Sequence, residues 1–183
     1  MTQITSSRWR VVAAAAALTV ALSACAGTSD TEAKAAPKDE AFYVAPKDLS
    51  SYSAGDLIWS REYTGPHAIA GATNSLVLYA QEGLHKKGLV GVSGIVSVPE
   101  GKAPAGGWPV ISWGHGSTGM ADRCAPSWAN AKPENNFVNE KFVSEWIDKG
   151  YAVVRSDYEG LGTPGDHPYL IGPSAGRSVL GVV

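Results

Sequence analysis

The chain has 183 residues, with 17 acidic and 15 basic side chains and a formal net charge of −2. Both signs are scattered, with no basic stripe or patch, so nucleic acid is not an expected partner. No C-x-x-C or H-E-x-x-H spacing occurs, so the sequence offers no metal site, and nothing in it calls for a cofactor.

The N-terminus reads as an export signal. Arg8 and Arg10 precede "VVAAAAALTVAL", an apolar run of 12 residues. A membrane-spanning helix takes roughly 20 residues, so the layout is that of a secretory signal. The run leads into Leu22-Ser23-Ala24-Cys25, which resembles a bacterial lipobox, where the cysteine thiol is acylated and becomes the mature N-terminus. Ala24-Cys25-Ala26 also fits an ordinary A-x-A cleavage site; the position of Cys25 directly against the apolar run favours the lipobox. Either route exports the protein. "AGTSDTEAKAAPKDEA" mixes small, charged and proline residues without apolar periodicity and has too little apolar surface to order itself. The expected organisation is a lipoprotein-type signal peptide at 1–24, a flexible tether at 25–41 anchored through Cys25, and a folded domain over 42–183.

Within the domain, an irregular aromatic lead-in ends in a strand at Leu57–Glu62. Leu76–Ala80 is the β-rich core of the next strand, and "KKGLVGVSGIVSVPEG" alternates as a third over Gly88–Val98, stopped by Pro99. Val110–Trp113 is an apolar β run that breaks into "GHGSTG". "NNFVNEKFVSEWIDKG" places Phe137, Val138, Phe142, Val143, Trp146 and Ile147 on one helical face, capped by Asn135 or Asn136 and ended by Gly150. "YAVVRSDYEG" is a strand with a continuous apolar core, the kind buried in a parallel sheet. A last helix is expected from Ser174. This alternation predicts an α/β fold, a mostly parallel sheet with crossover helices, whose two leading strands pair antiparallel at one edge. Only the first half of such a sheet is accounted for.

Four short stretches carry candidate chemistry. "GHGSTG", Gly114 to Gly119, follows a buried strand, and a small-residue loop in that place exposes backbone N–H groups of the kind that hold an oxyanion. Ser117 and Thr118 are the candidate donors; the competing reading is a tight turn with His115 capping the strand. In "SDYEGLGTPG", Asp157 or Glu159 would line a cleft at a strand's carboxyl end. Asp157 reads more simply as a hydrogen-bonding brace for the Gly160 and Gly162 turns. His167, in "GDHPY", is a loop histidine with no identifiable acid partner. "GPSAG" spells G-x-S-x-G around Ser174, but a nucleophile elbow needs a strand directly before the serine, and the preceding "GLGTPGDHPYLIGP" is rich in proline and glycine. Ser174 reads as a helix N-cap rather than a nucleophile.

Taken together, "FYVAPKDL", "GHGSTGMADRCAPSW" and above all "KGYAVVRSDYEGLGTPGDHPYLIGPSAGRSVLGVV" resemble the secretory lipase family of α/β-hydrolases, the lipase A-like group with yeast and exported bacterial members. The resemblance covers 42–183 and corresponds to the N-terminal portion of a family member. It implies an oxyanion N–H from the "HGSTG" loop and a disulfide from Cys124 to a cysteine much further along. It also implies a catalytic serine, acid and histidine beyond Val183, so none of the triad is present here. The unpaired Cys124 and a helix cut mid-run fit the same truncation.

The expected function is thus that of an exported carboxylic ester hydrolase, lipase or esterase, working through an acyl-enzyme on an ester or lipid substrate and held at the membrane through Cys25. This portion is expected to be inactive alone, and its open sheet edge and apolar face to invite aggregation. The alternative is a lipid-anchored envelope protein that uses half of the fold as a binding module. Chain-length preference and oligomeric state are not legible.

Overall fold

The computed structural model describes residues 36–128 and 140–183. The signal peptide, Cys25, most of the tether and the predicted helix start with Asn135, Asn136, Phe137 and Val138 lie outside the described residues. Order is already present at the end of the tether: Ala36 packs on the core, and Asp39–Tyr43 forms a 3₁₀ turn that buries Phe42 and Tyr43.

Five strands form one sheet: β1 (Leu57–Glu62), β2 (Ala72–Glu82), β3 (Leu89–Pro99), β4 (Val110–Gly114) and β5 (Ala152–Ser156), in the order β1-β2-β3-β5-β4. Two helices flank it, α1 (Glu140–Asp148) and α2 (Gly172–Gly181). A bulge at Ile58 shifts the β1–β2 register, which lets the adjacent Ile58 and Trp59 both be buried where strict alternation would expose one of them. β2 and β3 pair residue for residue from Ala72↔Pro99 to Glu82↔Leu89, closed by a loop in which Gly83 N–H donates to the Gly88 carbonyl.

The sheet is mixed, which corrects the expectation of a mostly parallel one. β1–β2, β2–β3 and β3–β5 are antiparallel, and β4–β5 is the parallel pair. The apolar run of β5 suggested parallel neighbours, yet such a run reports only that both faces are covered. Here the covering comes from one helix on each side. β4, α1 and β5 do form the expected strand–helix–strand unit.

Side chains that share a register row share a face. Leu76, Ile95 and Arg155 point to the α1 side; Val77 and Ser156 point to the α2 side, in the row that Gly94 and Gly114 share. On the α1 side, Val143 and Ile147 pack on Val153 and Ile69, and a second cluster gathers Phe42, Trp59, Leu76, Leu78 and Ile95. On the α2 side, Val77, Tyr79, Val92, Val154 and Val182 pack together. Each fully buried Leu, Ile or Phe is worth roughly 1.5–3 kcal/mol. Gly150 ends α1 at φ 80°, as predicted, and its N–H returns to the Ile147 carbonyl.

α2 corrects the placement of Ser174. The helix begins at Gly172, with extended Ile171 before it and Pro173 in its first turn. Proline's fixed φ and missing N–H suit a first helical turn, so Pro173 starts the helix early and moves Ser174 inside it. The Ser174 hydroxyl caps nothing.

Candidate functional site

Parallel strands β4 and β5 end side by side, and the loops that leave their carboxyl ends meet the first turn of α2. Between them lies a cavity of about 200 Å³. Open α/β sheets place ligands at this end of the strands. The cavity brings together most of the residues singled out in the sequence: His115, Gly116, Ser117, Thr118, His167 and Ser174, with Tyr158, Leu161 and Tyr169. Asp157 and Glu159 are not in its lining.

The Ser117 and Thr118 backbone N–H groups find no acceptor among the described residues. The Ser117 hydroxyl meets the Tyr169 hydroxyl at 2.8 Å across the mouth, and Thr118 Oγ1 is buried without a partner among the described residues. His115 is buried, and its Nδ1 faces the Gly116 carbonyl at 2.6 Å. A carbonyl only accepts, so Nδ1 carries the proton. Burial holds the His115 imidazole below its usual pKa, with the Gly116 carbonyl and nearby Asp157 opposing that shift.

Asp157 is fully buried beneath the site. It accepts hydrogen bonds from the Ser93 hydroxyl (2.6 Å), the Ser127 N–H (3.0 Å) and the Ser127 hydroxyl. The brace reading is therefore right in kind, but the loop it braces is Ala125–Ser127 rather than the Gly160 and Gly162 turns. Burial raises the Asp157 pKa, against the hydrogen bonds from Ser127 and Ser93. Tyr43 and Tyr63 donate to the carbonyls of Ser127 and Pro126, completing a buried polar layer; burial pushes Tyr63 up to about 12.

Glu159 ties the start of α2 to β2. It accepts from the Ser174 hydroxyl (2.6 Å), Gln81 Nε2 (3.2 Å) and the Leu84 N–H (2.9 Å). Ser174 is thus buried against a carboxylate, with no histidine on its hydroxyl. His167 donates from Nδ1 to the Glu159 carbonyl at 2.8 Å and has no carboxylate partner among the described residues. Among the described residues Cys124 is a free, half-buried thiol; its sulfur packs against Gly119, where a Cβ would collide with it, so it sits directly under the glycine loop.

Two features escaped the sequence reading. Arg155, inside the apolar β5, is buried with its guanidinium on the His67 carbonyl (3.0 Å) and the Ser97 hydroxyl (2.9 Å), and burial pulls its pKa down to about 10. His67 in turn pairs with Glu140 at the start of α1. The signal was there, a lone arginine in a buried strand. Tyr158 was also passed over, and its backbone is unusual (φ 74°).

A mixed sheet with one helix on each face, and a loop-lined cavity at the carboxyl ends of its two parallel strands, defines a partial α/β fold. No family model and no curated protein matches the chain. Solved structures do. It is similar to the X-ray structure of Candida antarctica lipase A in its closed state, with a TM-score of 0.63 and 22% identity over 80% of this chain and 35% of that one. A second X-ray structure of Candida antarctica lipase A gives 0.64 with the same identity and coverage. The resemblance to the lipase A-like group is met at the level of fold, and the chain spans about a third of the length of these neighbours.

Proposed function

We propose that this chain is the N-terminal portion of an exported serine hydrolase that cleaves carboxylic esters, lipid-anchored through Cys25. One observation carries the reading: in a lipase A-like fold, the loop after β4 carries Ser117 and Thr118 into the lining of a cavity at the strands' carboxyl ends, and their N–H groups have no acceptor among the described residues. Such donors stabilise the oxygen that becomes negative when a nucleophile attacks an ester, and losing one costs roughly 10²–10³ in rate. The attacking serine, its histidine and acid belong to the rest of the enzyme. These 183 residues alone therefore lack esterase activity.

The arrangement around Ser174 favours, as a second reading, a binding module without catalysis, since its hydroxyl is committed to Glu159. A fluorophosphonate probe and a p-nitrophenyl butyrate assay, applied to the 183-residue chain and to the product of its complete gene, separate the two. The hydrolase reading expects labelling and turnover from the complete product alone. Neither activity in the complete product supports the binding module, and labelling of the 183-residue chain that Ser174→Ala abolishes would restore Ser174 as the nucleophile.

A further inference from the structure

Tyr158, directly after Asp157, adopts a left-handed backbone (φ 74°) that bulky side chains rarely take. Its ring lies between His115 and His167, with centroids 4.7 and 6.3 Å away, and its hydroxyl donates to the His115 carbonyl at 3.0 Å. Gly114 leaves room for that hydroxyl: a Cβ there would stand 2.7 Å from it. One residue on, the His115 Nδ1–H holds the Gly116 carbonyl.

Two consecutive peptides therefore have their carbonyls anchored, one on Tyr158 and one on the His115 ring. In a planar trans peptide the N–H points opposite to the C=O. Anchoring the carbonyls thus fixes where the Gly116 and Ser117 N–H groups point, and neither has an acceptor among the described residues. Both residues line the cavity.

We propose that Tyr158 is the positioning residue of this loop: through the His115 carbonyl, and with the His115 ring, it holds the Gly116 and Ser117 N–H groups as preformed donors for the oxygen of a carboxylic acid or its ester. The ester part rests on the hydrolase reading above; the oxygen site does not.

The test is a titration of the ¹⁵N-labelled full chain with sodium butyrate, followed at the Gly116 and Ser117 amides. Both resonances shift saturably in the wild type. Tyr158→Phe weakens binding roughly three- to tenfold, the span of one hydrogen bond, together with the drop of a few degrees in thermal midpoint that losing one hydrogen bond carries. A merely structural tyrosine would move the midpoint and leave the butyrate affinity alone. Should Tyr158→Phe not fold, Gly114→Ala decides, because its Cβ displaces the same hydroxyl and produces the same loss. Unshifted amides in the wild type, or wild-type affinity in the folded variants, overturn the proposal. Butyrate binding without ester hydrolysis by the complete gene product would refute the hydrolase reading and leave this one standing.

Discussion

Replacing Asp157 by Asn tests whether this carboxyl holds the fold or serves the cleft. The carboxyl receives three donors, one from Ser93 and two from Ser127, and has essentially no solvent contact. An asparagine keeps one acceptor oxygen and turns an NH₂ group toward the remaining donors. A buried donor left without an acceptor costs about 1–3 kcal/mol. The Ser127 hydroxyl retains the Tyr43 hydroxyl at 3.2 Å, which softens one of the two losses. The expected destabilisation is about 3 kcal/mol, roughly 6–12 °C in thermal midpoint for a domain of this size. Circular dichroism melts of the full chain and of Asp157→Asn at pH 7 read it directly. A midpoint within 2 °C of wild type would refute the brace and return Asp157 to the list of cleft residues.

Acid sensitivity follows from His115, whose folded pKa is depressed by burial. Such a group stabilises the fold above its unfolded value, about 6.5, and that contribution disappears as pH falls through the lower folded value. Asp157, with its raised pKa, acts in the opposite sense: its contribution is present below its unfolded value and lost as pH rises through the folded one. The His115→Asn variant should therefore show a flatter loss of thermal midpoint between pH 7 and 5 than wild type, and an unchanged slope would contradict the assignment. Ser174→Ala removes the 2.6 Å bond to Glu159 and should destabilise the chain by about 2 kcal/mol, as for a hydrogen bond to a charged group; no change in a urea melt would show that bond to be idle. Val110, half-exposed on the free edge of β4, is the place where edge pairing between copies would begin. Val110→Lys should lower the sedimentation-detected association of the full chain; equal association would put the contact elsewhere.

What the sequence revealed was local. β4 could be placed from its apolar run, β3 from its alternation, and the end of α1 from Gly150, because each signal is contained in a few neighbouring residues. The sheet's mixed character was hidden, since the pairing of β3 with β5 joins Ile95 to Arg155 across 60 positions, and strand composition does not encode direction. The cavity was half legible: the glycine loop announced itself, while Tyr158, a non-glycine residue with positive φ, gave no sign. Ser174 was misplaced as the N-cap by three residues, since Ile171 holds that position, because the proline before it was weighed as an obstacle to an elbow rather than as the opening of a helix. Glu159 and Gln81 meet across 78 positions, beyond any window of sequence pattern.

These residues are proposed to supply the oxyanion side of an ester hydrolase whose nucleophile lies elsewhere in the same enzyme. Reading the native gene past the Val183 codon tests it most directly. The frame is expected to continue through an apolar strand into a new G-x-S-x-G, followed by an acidic residue, a cysteine to pair with Cys124 and a histidine. A stop codon in the native gene directly after Val183 would contradict it.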